Sequence, residues 1–115
     1  IYNRANIPYQ IITNYSQMKK SDKLILPGVG AFETCLNNLV KRNLVPVLNE
    51  AVLIKKKPIL GICVGMQVLF KSSSEKKNYA GLGVLQGGVD LIKAPLLPHM
   101  GWNNILAPSD SKWHA

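Results

Sequence analysis

Cys63 stands between two glycines, Gly61 and Gly65, directly after a short apolar run. That run, residues 58–62, is too short for a helix and is typical of a buried parallel strand. Residues 64–70 then repeat apolar side chains at helical spacing and predict the start of a helix. The sequence therefore places this thiol at a sharp turn from strand to helix, which the flanking glycines permit.

A cysteine at such a turn is suited to nucleophilic attack on a carbonyl. It lies at the carboxyl end of the sheet, where open α/β sheets bind ligands. The helix amino terminus behind it favours the thiolate, and the first N–H groups of that helix are free to stabilise an oxyanion. A lone cysteine in a strand is more often a core residue. Here the Gly-x-Cys-x-Gly spacing favours the nucleophile.

The elements that must position Cys63 alternate between strand and helix. Residues 9–13 and 23–26 predict strands, residues 31–42 predict an amphipathic helix, and residues 46–54 predict a second helix. Cys35 lies on the apolar stripe of the first of these helices, so we interpret it as a packing residue. This alternation predicts the α/β class, with a mostly parallel sheet covered by helices on both faces.

The second half of the chain predicts less regular structure. The polar residues 71–78 end the helix that follows Cys63. Residues 81–85 and 89–92 predict short strands broken by glycines, in a β-ribbon beside the main sheet, and residues 105–106 predict a last strand.

Composition narrows the class of protein. The chain has 115 residues, 47% of them hydrophobic and 17% charged, which suffices for one core. No apolar run approaches the roughly 20 residues that span a bilayer, and we expect neither a leader nor a membrane partner. Two cysteines do not form a disulfide framework, so we expect free thiols in a reducing compartment, the cytoplasm.

The net charge of +8 raises nucleic acid as a partner. However, the basic residues are scattered and no aromatic residue interleaves with them, so we expect none.

The residues Gly61-Ile-Cys-Val-Gly-Met-Gln67 resemble the nucleophile elbow of the class I (triad) glutamine amidotransferases. Members of that family hydrolyse glutamine through a cysteinyl thioester and pass the ammonia to a synthase. The resemblance implies a flavodoxin-like layering of sheet and helices, and it implies that Cys63 is the catalytic nucleophile. It implies no cofactor and no metal.

The loop Pro27-Gly-Val-Gly30 resembles a second loop of the same family. By that resemblance Gly28 and Gly30 line the glutamine pocket, and the oxyanion hole comprises Val29, Gly30 and Val64. Taken alone, a glycine-rich turn after a strand offers backbone N–H groups, or it is simply a tight connection. No Lys-Ser/Thr pair follows, so the loop is not a Walker phosphate-binding loop.

Gln67 and Glu75 are candidate substrate-binding residues. Gln67 follows Cys63 by four residues on the same helix face, and in the family the residue at this place holds glutamine. The segment Ser73-Ser-Glu75 is similar to a family segment whose carboxylate would pair with the α-amino group of glutamine. Without the resemblance, Gln67 would be ordinary helix surface and Glu75 a solvated loop charge.

The segment Pro98-His-Met-Gly-Trp-Asn103 is similar to one carried by two branches of the family. One branch supplies ammonia to a (β/α)8-barrel synthase subunit in histidine biosynthesis, and the other serves bacterial surface-sugar biosynthesis. The resemblance implies a partner interface at Met100, Trp102 and Asn103. A Trp is a plausible interface anchor, although it also suits ordinary packing. His99 has no second ligand that would indicate a metal site.

The resemblance covers roughly residues 9–103, and it leaves two parts of the family fold without a counterpart. These are the first strand and the catalytic His-x-Glu pair, because His114 has no Glu two positions later. We therefore expect residues 1–115 to form a single, incomplete glutaminase domain that lacks both ends and is inactive alone. The alternative is a truncated, non-catalytic interaction module.

Overall fold

The computed structural model describes residues 2–75 and 78–111. Lys76, Lys77 and His114 lie outside the described residues. The helices and strands, in chain order, are α1 (Tyr15–Lys20), β1 (Leu24–Gly28), α2 (Phe32–Lys41), α3 (Val45–Asn49) with a π-helical turn directly after it (Glu50–Ile54), β2 (Ile59–Cys63), α4 (Val64–Gln67), β3 (Phe70–Ser73), β4 (Tyr79–Ala80) and β5 (Leu85–Val89).

Strands β1 and β2 pair in parallel, in a register that runs from Leu24 opposite Ile59 to Gly28 opposite Cys63. Parallel neighbours need a crossover connection, and helices α2 and α3 with the π-helical turn supply it. The predicted α/β class and the parallel strand before Cys63 are both confirmed.

The two faces of this strand pair differ in burial. Side chains alternate between faces along a strand. Leu24 is buried on one face, where the backbone of β1 also contacts α4. On the other face Ile25, Leu60 and Ile62 are 41%, 56% and 48% exposed. In the described part of the chain, that second face is open to solvent.

The core joins the helices to the start of β1 and to the elbow. Phe32, at the start of α2, and Val68, just after α4, are 1% and 0% exposed. The buried apolar residues form one cluster: Met18, Leu24, Phe32, Leu44, Leu48, Ala51, Val64, Val68, Leu69 and Leu82. The residues around Cys63 therefore pack on the main core rather than on a separate satellite.

A second sheet, of three short strands, follows the elbow, with strand order β4-β3-β5. Strand β3 pairs antiparallel with β4 and parallel with β5. The predicted helix over residues 64–70 was too long, because α4 ends at Gln67 and Phe70–Ser73 is a strand. The predicted ribbon strands also lie elsewhere, at Tyr79–Ala80 and Leu85–Val89. Backbone pairing with residues distant in sequence overrides the polar character of Lys71 and Ser72.

Two predicted strands are wrong. Residues 9–13 and 105–106 have no strand structure. Ile11 is 79% exposed and Ile105 is 92% exposed, whereas Ile12 packs, partly buried, against the core. β-Propensity measures how well a residue fits a paired, half-buried surface, and these runs have no such surface in the described structure.

Lys57 fixes α1 to the loop before β2. Its Nζ donates to the carbonyl oxygens of Met18 at 3.2 Å and Lys19 at 2.8 Å, and also to that of Ser21. A cation at a helix C-terminus satisfies carbonyls that lack an internal partner. Lys57 therefore caps α1 rather than the helical segment that directly precedes it in the chain.

Candidate active site

The backbone at Cys63 takes a conformation that L-residues rarely adopt. Its φ is 55° and its ψ is −125°, and it is the N-cap of α4. Such a conformation costs on the order of 1–3 kcal/mol and persists only where the surroundings impose it. Here β2 ends and α4 begins without an intervening residue. The side chain of Cys63 is exposed as a result.

The two glycines that flank Cys63 are required by close backbone contacts. A Cβ on Gly65 would lie 1.9 Å from the carbonyl oxygen of Leu26, and a Cβ on Gly61 would lie 2.4 Å from Cα of Met66. Real Cβ contacts of that length do not occur. The Gly-x-Cys-x-Gly spacing therefore lets β1, β2 and α4 meet around the thiol.

The loop Pro27-Gly-Val-Gly30, called the Gly28 loop below, lies beside the elbow. Gly28 is the in-register neighbour of Cys63, and a Cβ on it would lie 2.6 Å from the backbone N of Gly65. The loop continues through Val29, which is 89% exposed, and Gly30, whose φ is +93°. The structure thus brings the predicted pocket and oxyanion-hole loop next to the predicted nucleophile.

Val64 and Gln67 belong to the helix that follows the thiol. Val64 is 6% exposed, and its side chain is part of the core. As the first residue of a four-residue helix, it has an N–H without an internal helical partner. Gln67 ends α4 and is half-buried. Their assignment to the oxyanion hole and to glutamine binding stays a prediction.

Glu75 makes a contact that the sequence did not indicate. Its Oε2 accepts a hydrogen bond from the backbone N–H of Phe32 at 2.9 Å, across 43 residues. The sequence gives one hint of this contact. The N-cap residue of α2 is Ala31, whose side chain cannot cap the helix, so the helix needs a capping group from elsewhere. This contact places Glu75 at the end of the loop that begins at Gly28.

Cys35 differs from Cys63 in its surroundings. It is half-buried against the core, as its place on the helix stripe predicted. Burial raises the pKa of the Cys35 thiol. Its Sγ borders a surface groove of about 460 Å³ that runs between α2 and the Gly28 loop and does not include Cys63.

The predicted partner residues lie on an irregular, exposed segment after β5. Met100 is 83% exposed and Trp102 is fully exposed. Asn103 lies close to His99, with 3.3 Å between Nδ2 of the amide and Nε2 of the ring. Their side chains are accessible, and their role at an interface stays a prediction.

The described part of the chain contains neither a cluster of metal ligands nor a membrane-spanning helix. No group of three or more His, Cys, Asp or Glu side chains is arranged to hold a metal ion there. None of the helices within 2–75 and 78–111 is long and apolar enough to cross a bilayer.

The comparisons with known proteins agree on one family. The model of the class-I glutamine amidotransferase family matches residues 2–111. The chain is 45% identical over 109 residues to "Imidazole glycerol phosphate synthase subunit HisH" of Shouchella clausii, covering 89% of this chain and 52% of that protein. The protein of the same name from Lactococcus lactis is 49% identical over 96 residues, covering 83% and 47%.

A third relative, "Imidazole glycerol phosphate synthase subunit HisH 1" of Campylobacter jejuni, is 43% identical over 98 residues, covering 83% of this chain and 49% of that protein. The chain spans about half the length of the curated relatives it matches. The matched residues include the strained elbow at Cys63 and the Gly28 loop beside it, and the chain belongs to the class-I glutamine amidotransferase family.

Proposed function

We propose that this chain carries the nucleophile half of a glutaminase that supplies ammonia to imidazole glycerol phosphate synthase in histidine biosynthesis. The observation that carries the proposal is the contact between the strained Cys63 elbow and the Gly28 loop. The names of the relatives support the pathway. The surface-sugar branch remains the alternative, because its members carry a segment very similar to residues 98–103.

In the proposed reaction Cys63 Sγ attacks the side-chain amide carbon of glutamine. The carbonyl oxygen becomes an oxyanion, which the N–H groups of Val64 and of the loop at Val29 and Gly30 stabilise. The C–N bond breaks, ammonia leaves with the proton that a base has taken from the Cys63 thiol, and a thioester remains. Water then cleaves the thioester to give glutamate and free Cys63. Gly28, Gly30, Gln67 and Glu75 hold the substrate.

The base is a separate requirement. Cys–His sites use a histidine, held by an acidic residue, to take the thiol proton and return it to the leaving group. His99 lies beside Asn103 rather than beside an acidic residue among the described contacts, and His114 does not match the family motif. We therefore assign neither as the base. The 115-residue chain alone should hydrolyse glutamine several orders of magnitude more slowly than the natural polypeptide that contains it.

The proposed partner is a (β/α)8-barrel synthase subunit, in a cytoplasmic complex. The relatives are named as subunits, which supports a partner. The exposed side chains of Met100 and Trp102, with Asn103 beside them, supply an apolar anchor and a polar group on one segment. Interface hot spots are enriched in Trp, and a Trp side chain at a hot spot is buried away from water in a pocket of the partner.

The test uses the natural polypeptide that contains this chain, together with its synthase. Glutamate release is measured for the wild type, for Cys63→Ala and for Cys35→Ala. We expect Cys63→Ala to abolish release and Cys35→Ala to keep most of it, because only the first thiol lies at the elbow. Release that persists in Cys63→Ala, or that depends on Cys35 instead, would overturn the proposal.

A further inference from the structure

The carboxylate of Glu75 joins two distant parts of the fold. Its Oε2 accepts from the N–H of Phe32, the first residue of the ten-residue helix α2. The N-cap residue Ala31 makes no side-chain capping bond, so Glu75 does what a capping side chain would do. A carboxylate at this position satisfies a helix N–H that has no internal partner and complements the helix dipole.

Glu75 is itself held by the end of β3, in the three-stranded sheet β4-β3-β5. Its backbone N–H donates to Oγ of Ser73 at 3.3 Å, and Ser73 is 2% exposed. Ser74, between these two residues, is also held. Its N–H donates to the carbonyl oxygen of Val89 at 3.0 Å, and its Oγ donates to Oδ1 of Asp90 at 2.7 Å. Each residue of the segment 73–75 therefore has a defined contact, and Glu75 is more than a solvated loop charge.

The Gly28 loop ends at the residue that Glu75 holds. At one end, Gly28 packs against the backbone of Gly65 in the elbow. At the other end, Phe32 is buried in the core. Its ring packs close to Gly81: a Cβ on that glycine would lie 3.2 Å from Cζ of Phe32. Only Val29, Gly30 and Ala31 lie between these two anchors. The directions of their N–H groups therefore depend on where Phe32 is held.

We propose that Glu75 is a positioning residue: through the N–H of Phe32 it holds the start of α2 and so aims the N–H groups of the Gly28 loop at the substrate carbonyl. This inference rests on the proposed glutaminase function. It adds a second task to the one suggested by family resemblance, contact with the α-amino group of glutamine. A carboxylate has two acceptor oxygens, so one side chain can serve both groups.

A pair of variants and a pair of substrates separate these two tasks. Glu75→Gln loses the charge but keeps an amide oxygen that can accept from Phe32, whereas Glu75→Ala loses both. The substrates are glutamine and glutaric acid monoamide, which has the same reacting amide and no α-amino group. Both are assayed with the natural polypeptide in its complex, and thermal unfolding confirms that each variant folds.

With glutaric acid monoamide, we expect Glu75→Ala to lower kcat about tenfold or more, because displaced oxyanion donors cost rate. Glu75→Gln should lower kcat by a smaller factor than Glu75→Ala does, because its amide oxygen can still accept from the N–H of Phe32. With glutamine, both variants should also raise KM. Glu33→Gln is the matched control, since it removes a carboxylate from the same first turn of α2 that does not contact the N–H of Phe32.

Equal kcat for wild type, Glu75→Gln and Glu75→Ala with the monoamide would overturn the inference and leave Glu75 as an α-amino ligand only. Hydrogen exchange at the Phe32 amide gives a readout independent of turnover. It should be slow in the wild type and in Glu75→Gln, and faster in Glu75→Ala. If the wild type hydrolyses neither amide, the proposed function fails, and exchange alone decides whether Glu75 holds α2. Unchanged exchange in Glu75→Ala would refute the cap.

Discussion

At Cys63 the proposed nucleophile and the backbone strain occupy the same residue. The positive φ aims the side chain outward at the end of β2, where an amide carbonyl can approach it. The residue cannot relax, since β1 holds it on one side and the first turn of α4 follows at once. The proposed reactivity of Cys63 therefore comes at a cost in stability.

That cost can be measured by replacing the side chain. Glycine adopts this conformation freely, although it loses about 0.5–1 kcal/mol more entropy on folding than alanine. Against a strain of about 1–3 kcal/mol, we expect Cys63→Gly to be about 1 kcal/mol more stable than Cys63→Ala. Urea unfolding of both variants checks this. Equal stabilities would mean that residue 63 is unstrained.

Thiol labelling separates the two cysteines. An electrophile that mimics glutamine should label Cys63 first, because that thiol is exposed and Cys35 is half-buried. Burial raises the pKa of the Cys35 thiol, so little of it is thiolate at pH 8, and its labelling rate should increase steadily as the pH is raised. Peptide mapping across pH gives both rates. Labelling mainly on Cys35 at pH 8 would sink the assignment of the nucleophile.

At the scale of the elements, glycine contacts set the distance between β1 and α4. Gly65 packs directly on the carbonyl of Leu26, and Gly28 packs on the backbone of Gly65. Both partners are backbone atoms, which cannot move aside as a flexible side chain can. The elbow helix therefore touches the strand, and a single methyl group is too large for the gap.

We expect Gly65→Ala to destabilise the fold by about 1–3 kcal/mol or more and to displace the elbow. Gly88→Ala in β5 is the control. Its Cβ would meet Oγ of Ser72 at 3.1 Å, a hydroxyl that can rotate away. Chemical denaturation gives the stabilities, and the labelling rate of Cys63 reports the elbow. If Gly65→Ala lost no more stability than Gly88→Ala, Gly65 would not be in close contact with the carbonyl of Leu26.

The sequence predicted the elements that carry their own signal. The apolar runs before Pro27 and Cys63 predicted strands, and the stripe containing Cys35 predicted α2, because local periodicity suffices there. Strand β3 was missed, since a polar run becomes a strand only through pairing with residues farther along the chain. The Glu75 contact was missed for the same reason, because nothing near Glu75 in sequence names Phe32 as its partner.

At the scale of the whole molecule, the chain is less compact than its length allows. Its radius of gyration is 15.9 Å, against about 13 Å for a compact domain of this size. Apolar side chains are exposed on the open face of β1 and β2 and along the segment that carries Trp102. Exposed apolar surface on this scale is typical of a protein that binds a partner.

Trp102→Ala should weaken binding to the proposed barrel synthase by about 2 kcal/mol or more, because Trp dominates many interfaces. The variant should fold normally, since the side chain of Trp102 is fully exposed. Calorimetric titration and thermal unfolding measure the two effects. Ile11→Ala, which removes another exposed apolar side chain, is the control. Unchanged affinity in Trp102→Ala would show that the segment is not the anchor.

The parallel register of β1 and β2 also has a consequence for synthesis on the ribosome. Leu24–Gly28 is made first and meets its partner only after the crossover helices and Ile59–Cys63 have emerged. At translation rates of about 5–20 residues per second, β1 waits a few seconds in an unpaired state. The backbone of Cys63 is forced into its strained shape only when that pairing closes. A nascent chain stalled before β2 leaves the exit tunnel should thus hold α2 and α3 segments but no elbow.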